Sequence, residues 1–115
     1  MKTFTNINEE KTLNLNKTQL YLLGIPYDMY KNYGQYKEDW ESLSDGDIRD
    51  LNDTQDFLNS HMNDKTLRIP YNKLKPWFQW GIKKICEISL KHKEDLSKLD
   101  IKLYKEILDT LISYE

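Results

Sequence analysis

A chain of 115 residues with 38% hydrophobic residues has the length of one domain, residues 1–115, and enough apolar mass for a core. No run approaches the 18 apolar residues of a membrane span, and residues 1–6 (MKTFTN) lack the apolar stretch of a secretory signal. The formal charge is only −2 and there is one cysteine, Cys86, so no internal disulfide forms and a cytoplasmic, reducing setting is expected.

Cys86 reads as a small buried hydrophobe. Ala and Val are absent, and Lys outnumbers Arg 15 to two, the footprint of an AT-rich genome. Sixteen Leu, ten Ile and the aromatics must then fill the core. Without small residues, helices are expected to stay apart except near Gly81.

Residues 1–15 are polar with scattered Phe4, Ile7, Leu13 and Leu15, which suits an extended arm or a short strand. Residues 17–24 predict a short helix: Asn16 is an N-cap and Gly24 with Pro26 is a stop. Tyr27, Tyr30, Tyr33 and Tyr36 then recur at i, i+3, one face of a helical segment that Gly34 interrupts. A helix over 44–62 is expected, capped by Ser44 or Asp45, with Asp45 and Asp47 favouring its first turn. Ile48, Leu51, Phe57 and Leu58 make its apolar stripe. Leu67, Arg68 and Ile69 before Pro70 read as extended.

Residues 75–91 predict the most buried helix, with Pro76 tolerated in its first turn. Residues 96–113 predict another, from Leu96, Leu99, Leu103, Ile107 and Leu111. One unbroken helix over 76–113 would run roughly 57 Å, too long for a domain of this size. A break near 92–96 is therefore expected; without it the tail would pack on a second copy. The expected fold is all-α with a minor extended or β segment: a small four-helix-type bundle ending in a C-terminal helical hairpin.

Charge is segregated along the chain. Residues 38–64 hold nine acids and one base, and residues 65–105 hold eleven bases and four acids. The two halves can attract each other across the fold, at roughly 0–1 kcal/mol per exposed pair. They can also be recognition surfaces. Asp45, Asp47, Asp50, Asp53 and Asp56 space carboxylates along a helix somewhat as phosphates are spaced along a nucleic-acid backbone, which suits a basic groove on a partner. Tyr30, Tyr33 and Trp80 are the candidate aromatic contacts, since exposed aromatics anchor interfaces. At least one of Trp77 and Trp80 should lie near the surface.

The alternative surface is Lys73, Lys75, Lys83, Lys84 and Lys91 beside Tyr71, Trp77, Phe78 and Trp80, a pattern that binds nucleic acid through phosphates and stacking. Two arginines are few for base reading. The acids from Asp45 to Asp56 do not make a calcium loop: the glycine is misplaced and Arg49 occupies a ligand position. His61 and His92 have no second ligand nearby in sequence, so no zinc site, cofactor site or catalytic residue is expected. These features suit a protein that binds and inhibits or redirects a larger host protein, as phage or mobile-element accessory proteins do. A nucleic-acid-binding regulator and an assembly component of a viral particle are the alternatives. A monomer or homodimer is expected, with no membrane partner.

Overall fold

The computed structural model describes residues 12–113. The elements in chain order are β1 (Thr12–Asn16), α1 (Lys17–Tyr33), α2 (Lys37–Glu41), α3 (Asp45–Asn59), β2 (Thr66–Pro70), α4 (Pro76–Lys91) and α5 (Lys98–Ser113). The fold is predominantly helical with one two-stranded sheet. Strands β1 and β2 run antiparallel, with Leu13 opposite Ile69 and Leu15 opposite Leu67. These four side chains are buried and their neighbours Asn14, Asn16, Thr66 and Arg68 are exposed, the period-two pattern of a sheet with one face on the core. The extended readings at Leu13, Leu15 and Leu67–Ile69 thus become partners in one ribbon. Phe4 and Ile7 fall outside the described residues.

Helix α1 starts with a capping box. The Asn16 side chain accepts from the Gln19 N–H at 2.8 Å, and Gln19 Oε1 accepts from the Asn16 N–H at 3.0 Å. The helix does not stop at Gly24 and Pro26, as the sequence suggests, but continues to Tyr33. Proline removes the N–H that would serve the carbonyl four residues back, that of Leu22. Here the Tyr104 hydroxyl donates to the Leu22 carbonyl, and Gln55 Nε2 donates to the Leu23 carbonyl at 3.0 Å. With those acceptors satisfied, the helix carries the proline in its interior. Gly34, at φ 66°, then closes it in the left-handed conformation, its N–H reaching the Tyr30 carbonyl at 3.0 Å while the Gln35 N–H reaches the Met29 carbonyl at 3.1 Å.

Helix α3 is capped by Ser44, whose Oγ accepts from the Asp47 N–H at 3.1 Å. It ends at Asn59, three residues before the expected Met62. Ser60 Oγ bonds the Phe57 carbonyl at 2.6 Å, and the His61 and Met62 N–H groups reach only three residues back, to the carbonyls of Leu58 and Asn59. Such local bonds compete with continued helix. Helix α4 begins at Pro76 and buries Phe78, Gly81, Ile82, Ile85, Cys86, Ile88 and Ser89, more residues than any other described helix. The break between α4 and α5 falls at residues 92–97, around a single 3-10 turn at Lys93–Asp95, and the two helices pack on each other as the expected hairpin.

Helices α3 and α4 meet at Gly81. A Cβ added there would lie 2.1 Å from Thr54 Oγ1 and 2.9 Å from Thr54 Cβ. Thr54 cannot easily swing away, since its hydroxyl donates to the Asp50 carbonyl at 2.8 Å. Gly81→Ala is therefore expected to destabilise the fold by about 1–3 kcal/mol. Adding Thr54→Ala to that variant should return part of the loss, as measured by chemical denaturation of both.

Candidate partner-binding face

The inward side of α3 is set by Leu51, Thr54, Gln55 and Leu58, all buried. At 3.6 residues per turn, Asp45, Arg49, Asp53, Asp56 and Ser60 then fall on the opposite, outward side, and each is exposed. Asp50 is half-buried on a flank, and Asp47, half-buried in the first turn, falls toward the inward side. The five candidate acids thus divide: Asp45, Asp53 and Asp56 share the outer ridge, while Asp47 and Asp50 do not reach it fully. Among the described residues, no hydrogen bond or ion pair anchors the Asp53 or Asp56 carboxylate.

Beside that ridge runs a row of rings. Phe57 meets His61 at 4.8 Å between centroids and Phe78 edge-on at 4.9 Å, and Phe78 meets Trp77 edge-on at 5.8 Å. Phe78 is buried, whereas Phe57 and Trp77 are each 36% exposed. His61 Nδ1 lies 2.7 Å from Asp64 Oδ2, which orients its ring. The row joins the C-terminal half of α3 to the first turn of α4, so apolar surface and carboxylates stand together. Phe57, expected in the buried stripe, is instead partly exposed. Leu51, Thr54, Gln55 and Leu58 centre that stripe, and position 57 sits at its edge.

The other candidate aromatics lie elsewhere. Tyr30 is half-buried, its ring stacked on Trp40 at 5.5 Å and its hydroxyl 3.4 Å from Glu41 Oε2. Tyr27 meets the same indole edge-on at 5.5 Å. Tyr33, in the last turn of α1, is 70% exposed. Trp80 is half-buried against the core, so of the two neighbouring tryptophans Trp77 is the more exposed. The tyrosine row is therefore split between packing at Tyr27 and Tyr30 and open surface at Tyr33.

The basic candidates are also dispersed. Lys73 and Lys75 are exposed just before α4, Lys83 and Lys84 are half-buried along it, and Lys91 stands at its end. Lys91 Nζ is 2.7 Å from Asp39 Oδ1, and His92 Nε2 is 2.7 Å from Asp39 Oδ2. The Tyr36 ring stacks on His92 at 4.5 Å. Glu94 Oε1 lies 3.9 Å from the other nitrogen of His92. One carboxylate thus ties α2, from the acidic half, to the end of α4, in the basic half. A cavity of about 260 Å³ borders this cluster. Tyr36 itself has φ 61°, the one non-glycine residue with positive φ among those described, and the stacked His92 ring helps to hold it there.

The electrostatics follow from this geometry. Burial pushes the Asp39 carboxyl up, but the hydrogen bonds and charges of Lys91 and His92 outweigh it and hold its pKa below the usual carboxylate value. The bond to Asp39 raises the Lys91 pKa. Burial pushes the Tyr36 phenol up, and Asp95 and Glu94 push it further. Burial raises the Cys86 thiol too, and its side chain is fully enclosed, the setting of an inert packing residue rather than a nucleophile. Among the described residues no group of three or more His, Cys, Asp and Glu is placed to hold a metal ion, and no helix is long and apolar enough to cross a membrane.

A carboxylate with a lowered folded pKa stabilises the fold above its unfolded pKa of about 3.9, and that stabilisation is lost as pH falls through the folded value. Asp39→Asn should lower the melting temperature by a few degrees at neutral pH. The gap to the unsubstituted protein should narrow as pH falls below about 3.9 and close once pH is below the lowered folded value, where Asp39 is neutral in both states. Melting curves of the two proteins across the acid range check this. No protein-family model matches the chain, and neither do curated proteins or solved structures, so the reading of its surfaces rests on its own residues.

Proposed function

We propose that this chain is a small protein-binding protein that docks on a larger partner through the outer face of α3 and the ring row beside it. Occupying a basic groove there would inhibit or redirect that partner. The observation that carries the reading is the juxtaposition of exposed Asp53 and Asp56 with the exposed rings of Phe57 and Trp77. Each part has its own role. Unneutralised carboxylates speed encounter with a positive surface and make the rate fall with salt. Aromatic rings that lose water on docking supply most of the affinity. A basic groove that normally holds nucleic acid is the kind of surface such a face fits, and a phage or mobile-element protein acting in a host cytoplasm is the setting we favour.

The nucleic-acid reading has less support. Lys91 is already bonded to Asp39 and Lys83 and Lys84 are half-buried, which leaves Lys73 and Lys75 as the exposed pair on the candidate patch. The test uses immobilised protein and cell extract, with retained proteins quantified by mass spectrometry. A protein retained by the unsubstituted chain should be lost from Phe57→Ser/Trp77→Ser and reduced, more so at low salt, for Asp53→Asn/Asp56→Asn. Equal retention by all three would overturn the assignment of this face. A mobility shift with DNA or RNA that weakens steeply with salt, and that Lys73→Gln/Lys75→Gln abolishes, would favour the alternative.

A further inference from the structure

On the other side of α3 from the ring row, α1 and the end of α3 leave a groove of about 190 Å³ lined by Tyr21, Gly24, Ile25, Asp28, Asn59 and Met62. Its walls are largely apolar, and Asp28 is the one charged side chain among these lining residues. Asn32 Nδ2 donates to Asp28 Oδ1 at 2.5 Å and so orients that carboxylate. Asp56 stands one turn before Asn59 on the same side of α3, which adds a second exposed negative charge nearby.

One of the positions lining the groove is glycine, and no close contact in the fold requires it. Gly81 is forced by Thr54, and Gly34 by its positive φ. Gly24 lies inside α1 without positive φ, and a Cβ there would meet nothing nearer than Gln55 Oε1 at 3.9 Å, ordinary contact. A glycine inside a helix costs about 0.5–1 kcal/mol relative to alanine. Here the missing side chain leaves the groove open at this position.

We propose that the groove between α1 and α3 is a binding site for one long cationic side chain, lysine or arginine, presented by a basic segment of the partner protein. The aliphatic stem lies along Tyr21, Ile25 and Met62, and the charged head reaches Asp28. A stem with a charge at its end fits apolar walls with a single carboxylate, whereas an anionic group would face Asp28. The inference rests on the partner-binding reading above for its source of basic side chains, but the site is testable without the partner.

The probes are N-acetyl-lysine amide and N-acetyl-arginine amide, with N-acetyl-norleucine amide as the stem without its charge. They are titrated into isotopically labelled full-length protein and followed by amide-resolved NMR. The expected result is saturable shifts centred on Tyr21, Ile25, Asn59 and Met62 with both cationic probes. Norleucine amide should bind about tenfold more weakly, and Asp28→Asn should weaken the cationic probes by a similar factor. Gly24→Leu, which fills this open position, should abolish the shifts while its circular dichroism and melting temperature remain native. If Gly24→Leu fails to fold, the Asp28→Asn comparison carries the test alone. Absence of shifts at these residues, or norleucine amide binding as well as lysine amide, would overturn the site. If the groove fails while Phe57→Ser/Trp77→Ser still loses the captured protein, the partner-binding face stands and the groove is withdrawn.

Discussion

The helical core turns on how one proline is accommodated. Pro26 interrupts the hydrogen-bond ladder of α1 in its buried stretch. The freed acceptor, the Leu22 carbonyl, has no access to water, since Leu22, Leu23 and Tyr104 are all buried. A buried carbonyl without a donor costs about 1–3 kcal/mol. The Tyr104 hydroxyl from α5 supplies that donor, and Gln55 from α3 serves the next carbonyl. Both donors are themselves buried, and each needs this partner as much as the carbonyl needs it. Two helices far apart in sequence, α3 and α5, are thereby fixed to one turn of α1, and burial raises the Tyr104 phenol pKa, which keeps its proton in place for the bond.

That arrangement decides which surface α3 offers. Gln55 points to α1 and Thr54 to Gly81 of α4, so the helix has no rotational freedom. Its carboxylates at 45, 53 and 56 must face out, Phe57 must lie along the α4 side, and Asn59 along the α1 side. An acidic ridge with rings on one flank and a groove on the other is a consequence of the buried contacts. The attraction between the acidic and basic halves of the chain is concentrated at Asp39, where Lys91 and His92 share one carboxylate, which leaves the outer acids of α3 for other work.

What was legible in the sequence is what local chemistry decides. Asn16, Ser44, Gly34 and Pro76 mark helix ends through bonds spanning a few residues, and each behaves as its type predicts. Gly81 stood out because a chain without alanine has few places where helices can touch. What was not legible depends on distant partners. The passage of α1 through Pro26 requires Tyr104, and the pairing of Leu13 with Ile69 spans about half of the chain. His92 has no partner within reach in sequence because its partner, Asp39, lies 53 positions away. Periodicity turns Trp80 away from the buried residues of α4, yet it packs on the core while Trp77 is the more exposed, because exposure also depends on neighbours outside the helix.

The most direct test of this account is a double-mutant cycle on Pro26 and Tyr104, read by chemical denaturation. Replacing Pro26 by alanine restores the N–H that the Leu22 carbonyl lacks. Tyr104→Phe should therefore cost about 1–3 kcal/mol in the unsubstituted chain and distinctly less in the Pro26→Ala background. An equal cost in both backgrounds would mean that the tyrosine hydroxyl does not stand in for the missing donor, and the central constraint proposed for the fold would be wrong.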